Sequence, residues 1–195
     1  MPAKPGGAIK GTFPSLKLNR SIRYTSTLER DFLFVLEYEA QVVRYQEQPF
    51  EVSGMFDGGL HRYTPDYAVW TAQQQTLVEC KPAMLLQDRH TQQQIAVGTQ
   101  WAMLHGWQFE VVTDRSLREG YQLANLKLLW RYSRLPVSSS QRHEFDEALA
   151  QTNPVTLGQL AQTPEQLNCV FYLLFHHELR TDLSRPLDTH SPVWR

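Results

Sequence analysis

The chain has only two cysteines, Cys80 and Cys169, far apart and each isolated. A disulfide framework and a thiolate zinc site are therefore both excluded, and a reducing compartment is expected. Long apolar runs are also missing. The longest, such as Val170 to Phe175, is far too short to cross a bilayer, and the beginning of the chain has neither an apolar signal core nor a cleavage-site pattern. A soluble, cytoplasmic protein with no membrane partner is expected. Acidic charge is scarce in one region: no Asp or Glu precedes Glu29, whereas Lys4, Lys10, Lys17, Arg20 and Arg23 all do. With its Pro and Gly, the stretch 1–23 reads as a basic, loosely packing arm suited to lying on phosphates. The net charge of −1 argues against a protein that coats nucleic acid by bulk electrostatics.

What is present is enough for one well-packed domain with a small appendage. Ser26 to about Ala40 reads as a helix, with Ser26 as N-cap and Leu28, Phe32, Leu33 and Leu36 at helical spacing. Val42 to Val52 alternates like a strand, but Pro49 suits only an edge or a bend. A turn through Gly54, Asp57, Gly58 and Gly59 follows. Next come two strands, His61 to Thr71 and Thr76 to Lys81, joined by a hairpin-length link. A helix from about Asp88 to His105 ends at Gly106, and Trp107 to Thr113 reads as a fourth strand. Ser116 and Glu119 form the capping box of a helix reaching about Tyr132. The order predicts an α/β domain over 24–135, a mixed sheet flanked by helices. The Ser-rich stretch Pro136 to Ser140 reads as a linker, and three helical stretches beyond it fit either a small winged-helix-like domain over 141–195 or a helical cap packed against the main domain.

One cluster carries chemistry. Thr64-Pro65-Asp66 opens the hairpin and Val78-Glu79-Cys80-Lys81-Pro82 closes it. Period-two geometry sends Glu79 and Lys81 to one face of their strand, with Val78 and Cys80 on the other, and antiparallel pairing brings Asp66 alongside. Three charged groups among apolar neighbours are costly unless a divalent cation compensates them. Phosphodiester hydrolysis uses this set: Asp66 and Glu79 as ligands of Mg²⁺ (Mn²⁺ substituting), the Cys80 carbonyl completing the shell, and Lys81 for the attacking water or the developing charge. Glu29 shares the inward stripe of its helix and is a fourth candidate, although Ser26 and Glu29 also fit a capping box. His176, His177 and Gln92 to Gln94 are weaker candidates that packing or a solvated face explains equally well.

The runs Leu28-Glu29-Arg30-Asp31-Phe32, Val43-x-Tyr45-Gln46-Glu47-Gln48-Pro49, Thr64-Pro65-Asp66-Tyr67 and Val78-Glu79-Cys80-Lys81-Pro82 together resemble the TnsA family over about residues 20 to 135. TnsA proteins are PD-(D/E)xK endonuclease subunits of heteromeric cut-and-paste transposases, including CRISPR-associated ones. The resemblance implies a restriction-endonuclease-like fold and Mg²⁺-dependent cleavage of the 5′ strands at transposon ends in bacterial DNA. It also implies a DDE transposase partner, TnsB, and an AAA+ regulator, TnsC, bound through the C-terminal region. The family's catalytic positions fall on Glu29, Asp66, Glu79 and Lys81. Two rivals share the fold: a stand-alone nuclease of junction-resolving, repair or restriction type, and a non-catalytic DNA-binding scaffold subunit.

Overall fold

In the computed structural model, which describes residues 9–152 and 154–195, the chain divides into two compact units at Leu117/Arg118. Among the described residues there are eleven strands and seven α-helices, so the protein is α/β with a mixed sheet.

The first unit begins with a correction. Lys4 lies outside the described residues, but much of the expected arm is a packed hairpin, β1 (Gly11–Ser15) paired antiparallel with β2 (Arg20–Tyr24). Phe13 and Ile22 face each other in register and are buried, and apolar residues at alternate positions fix which face turns inward. The turn is fastened to the next element, α1 (Thr27–Tyr38), by the buried carboxylate of Glu37. That carboxylate accepts from the Ser15 and Tyr45 hydroxyls and from the backbone N–H groups of Leu16 and Lys17. A buried charge needs such partners, and here the hairpin supplies most of them.

The central sheet comprises β3 (Val42–Glu47), β6 (Tyr67–Thr71), β7 (Gln75–Cys80) and β8 (Gln108–Val112), in the order β3-β6-β7-β8. The first three are antiparallel neighbours, and β7 and β8 are parallel, joined through α2 (Arg89–His105). The edge position of β3 is the one its sequence requires, since the strand stops short of Pro49. Asp88 caps the start of α2 and Gly106 ends it at φ 72. Alternation along β6 and β7 divides the core. Tyr67 turns to Phe32 of α1 and to Tyr45, whereas Ala68 and Leu77 pack with Val97 of α2.

The stretch His61 to Thr71, expected as one strand, is two. Its first part belongs to a separate hairpin, β4 (Val52–Phe56) with β5 (Gly59–Tyr63), turning at Asp57 and Gly58, both at positive φ. Tyr63 pairs with Val52 while Tyr67 pairs with Val78, so the chain changes sheet across Thr64-Pro65-Asp66, where Pro65 has no N–H to donate. The helix expected from Ser116 is likewise interrupted. Ser116 exchanges bonds with Thr113, capping the start of the short α3 (Asp114–Arg118), and Gly120 at φ 67 breaks the helical path.

The second unit contains α4 (Gln122–Trp130), α5 (Ser139–Gln151), β9 (Val155–Thr156), α6 (Leu157–Leu160), α7 (Pro164–Phe175), β10 (Arg180–Thr181) and β11 (Pro192–Trp194). The three strands form an antiparallel sheet in the order β10-β11-β9. The unit therefore starts earlier than the expected boundary at 136–140. The reason is packing: Trp130 and Tyr132 lie on Phe175 and Phe171, and the amide of Asn125 binds the carbonyls of Leu183 and Arg185 at 2.9 and 2.7 Å. The supposed linker begins a helix, with Ser138 and Gln141 as its capping box.

Candidate active site

The first unit gathers its acidic residues where β7 ends and β6 begins. Continuing the Tyr67–Val78 register by one residue sets Asp66 against Glu79. The Cys80 N–H donates to Asp66 Oδ2 at 2.7 Å, and Gln48 N–H donates to the Asp66 carbonyl at 2.9 Å. Glu79 is only 1% exposed. Lys81 lies on the same face of the strand, and its Nζ stands 2.8 Å from Glu79 Oε1. Glu79 Oε2 is buried and carries no hydrogen bond.

The charges cost each other. Burial, then the like charge of Glu79, pushes the Asp66 carboxyl up to about 8, against the Cys80 N–H that pulls it down; Glu29 raises it further. Glu79 is also raised by burial, with Lys81 opposing the shift. The Cys80 thiol is pushed up by burial and does not take part as a thiolate. An acid driven toward neutrality for lack of a counter-charge, beside a buried oxygen with a free lone pair, is a place where a cation could be accommodated. Among the described residues no group of three or more His, Cys, Asp or Glu side chains is placed to hold a metal by itself. Two carboxylates are nonetheless sufficient for Mg²⁺, which keeps several waters and takes substrate phosphate oxygens as further ligands. Asp66 and Glu79 fit that role.

Glu29 approaches from the first turn of α1. Its carboxylate accepts from Thr25 N–H at 2.7 Å and Thr25 Oγ1 at 2.8 Å, and its own N–H donates to Ser26 Oγ at 3.1 Å. The helix start is thus capped, with the acid reaching Thr25 rather than Ser26. Glu29 also lines a cavity of about 400 Å³ with Asp66, Glu47, Gln48, Lys10 and Arg23. Lys10, just ahead of β1, and Arg23 of β2 therefore bring two cations to the lining of this cavity, and Arg20 fastens the hairpin to β3 by a two-pronged pair with Glu47 at 2.8 and 2.7 Å.

With this geometry in view, comparison with known families is decisive for one stretch: residues 39–114 match the model described as TnsA-like endonuclease N terminal. This stretch is a TnsA-like endonuclease domain. It contains Asp66, Glu79 and Lys81, and Glu29 lies ahead of it. No curated protein matches the chain.

Three features of the TnsA-like domain were beyond sequence reasoning. Gln48, on the cavity wall, is held at φ 42 immediately before Pro49, a left-handed conformation that costs a non-glycine residue on the order of 1 kcal/mol or more. Tyr63, at the end of β5, buries a hydroxyl that makes no hydrogen bond and is raised by burial and by Glu79 and Asp66. Gly98 of α2 lets that side chain in. A Cβ there would sit 2.4 Å from the Tyr63 hydroxyl and 2.2 Å from the Phe109 ring. An isolated glycine inside a helix was the only available signal. In the second unit, His176 bonds the Ser133 carbonyl at 2.9 Å and lies on Tyr172, so it is accounted for by packing.

Proposed function

We propose that the protein is a Mg²⁺-dependent DNA endonuclease with a restriction-endonuclease-like catalytic unit, cutting the 5′ strands at transposon ends as a subunit of a heteromeric transposase. The observation that carries this reading is the Asp66–Glu79–Lys81 group around the buried Glu79, in which one carboxyl is driven toward neutrality and one carboxylate oxygen has no partner. A mixed sheet with α1 on one face and α2 on the other supports the fold.

Asp66 and Glu79 would hold the cation, with the Cys80 carbonyl as a further oxygen donor and Glu29 adding negative charge from α1. The ion, when bound, polarises the phosphodiester and makes a bound water acidic enough to attack. The residues of the chain do the rest. Asp66 and Glu79 remain ionised once their charge is balanced, and Lys81 orients the water and stabilises charge developing on the phosphate. Lys10 and Arg23, which line the cavity, would meet the DNA backbone and fix its position without reading its sequence.

The second unit supports a partner-binding role. Its order α5, β9, α6, α7, β10, β11 is compatible with a winged-helix-like module. Yet α7, the helix that would enter a DNA groove, has the sequence PEQLNCVFYLLF, without Lys or Arg. A helix lacking cations is poorly suited to phosphates and better suited to protein. The AAA+ regulator TnsC is the proposed occupant, with TnsB supplying end recognition and 3′-strand chemistry, all in the bacterial cytoplasm.

The test is cleavage of a labelled transposon-end duplex in Mg²⁺, with and without TnsB and TnsC, for wild type and Asp66→Asn. Partner-dependent 5′-strand cutting that the variant loses is the expected outcome. Equal cutting without partners would assign a stand-alone nuclease, and no cutting under any condition a scaffold subunit.

A further inference from the structure

The buried atoms that carry no hydrogen bond include Tyr63 Oη, Glu79 Oε2 and Gln94 Oε1. They converge through the fold. α2 leaves the end of β7 that carries Glu79 and returns to the start of β8, so it runs opposite to both strands. Gly98 lies against Phe109, which pairs with Leu77. Gln94 is one helical turn earlier on the same stripe, and Glu79 is two residues further along its strand on the same face as Leu77. One turn of helix and two residues of strand cover nearly the same length, about 6 Å, so Gln94 is level with Glu79. The Tyr63 hydroxyl reaches this layer through the gap at Gly98, and its raised ionisation records the nearby Glu79 and Asp66 charges.

The hydrogen-bonding inventory of the three atoms is complementary to one water molecule. Tyr63 Oη has a proton to give, and the two oxygens of Glu79 and Gln94 each need one. A buried water commonly makes about three hydrogen bonds to polar groups of this kind. We propose that Tyr63 and Gln94 are positioning residues that hold an ordered water against Glu79 Oε2, accepting from Tyr63 and donating to Glu79 and Gln94. Lys81 fixes Oε1, the water fixes Oε2, and the second lone pair of Oε2 is left for the cation. This rests on the cation-site reading above and extends it to residues outside the Asp66–Glu79–Lys81 group.

Outer partners that orient a ligating carboxylate change metal affinity by about 10- to 100-fold when removed. The test is calorimetric titration of the full chain with Mn²⁺ alone, without DNA, for wild type, Tyr63→Phe, Gln94→Leu, the double variant and Asp66→Asn, with thermal melts as the folding control. Tyr63→Phe keeps the ring that packs on α2, so it should melt as wild type does while binding Mn²⁺ roughly 10-fold more weakly. Gln94→Leu should weaken binding similarly, and the double variant no more than the worse single, because both act through one water. Wild-type affinity in Tyr63→Phe, with binding lost in Asp66→Asn, overturns the inference and leaves the cation site standing. Losses that add in the double variant also overturn the shared water. A wild type that binds no Mn²⁺, or Asp66→Asn that binds it normally, overturns both.

Discussion

Replacing Asp66 with Asn should make the cation-free protein more stable, even as it destroys the proposed site. The Asp66 carboxyl is raised from 3.8 to about 8, first by burial and then by Glu79. Its folded-state value lies above its unfolded one, so its contribution to stability is fully present below about 3.8 and is lost as pH rises toward 8. At 1.36 kcal/mol per pH unit, that interval sets a ceiling of about 5 kcal/mol at pH 8. Asp66 borders a cavity and is only partly buried, so solvent screening brings the expected cost nearer ~2 kcal/mol. Asn removes the charge and retains an oxygen to accept from Cys80 N–H. Urea unfolding in chelator at pH 5.5 and pH 8 reads both consequences. Wild type should lose on the order of 1 kcal/mol between the two, while Asp66→Asn should lose less, keeping only the part that the raised Glu79 contributes, and be about 2 kcal/mol more stable at pH 8. Adding Mg²⁺ at ten times its dissociation constant should then return about 1.4 kcal/mol to wild type and nothing to the variant. If Asp66→Asn is no more stable than wild type at pH 8, the charge in this site is not the liability argued here.

Three other perturbations separate chemistry from scaffold. Glu79→Gln and Lys81→Met should each lower 5′-strand cutting by about 100-fold or more in the reconstituted assembly, and Lys81→Met should also destabilise the fold by about 1–3 kcal/mol, since it leaves Glu79 buried without its ammonium. Gly98→Ala should cost about 1–3 kcal/mol and lower the melting midpoint by several degrees, because the new methyl meets Phe109 and the Tyr63 hydroxyl. Lys10→Ala combined with Arg23→Ala should flatten the salt dependence of duplex binding by a log–log slope of about 2, with no change in sequence preference.

The parts of the fold that were legible in the sequence are those settled by local chemistry. Asp88 and Gly106 bracket α2 because a cap and a left-handed stop are decided within one turn. Glu79 and Lys81 share a face because alternation needs only the strand itself. The misread parts depend on distant partners. The stretch 1–23 reads as a basic, loosely packing arm because it carries several cations and no acid of its own, whereas the carboxylate that holds the turn between β1 and β2, Glu37, belongs to α1. His61 to Thr71 has the composition of one strand, yet Val52 and Val78 claim its two ends for different sheets. Ser116 and Glu119 have capping-box spacing, but Thr113 reaches Ser116 first.

The same distinction applies to the proposed cation site. A Pro-Asp followed by Glu-x-Lys identifies three charges and says nothing about their cost. The cost appears only when the strand register places Asp66 against Glu79, α2 seals one face, and Lys81 serves a single oxygen of the pair. A fold that needed Glu79 only as a partner for Lys81 would gain more from an apolar pair of the same volume, because a buried ion pair seldom repays its desolvation. Adding Asp66 makes the imbalance worse in the cation-free state, so neither carboxylate is explained by stability. What both provide is a preorganised deficit of positive charge beside a cavity that Lys10 and Arg23 help to line. That arrangement would draw a divalent cation inward and keep a polyanion outside it, which is the order of charges that the proposed phosphodiester cleavage requires.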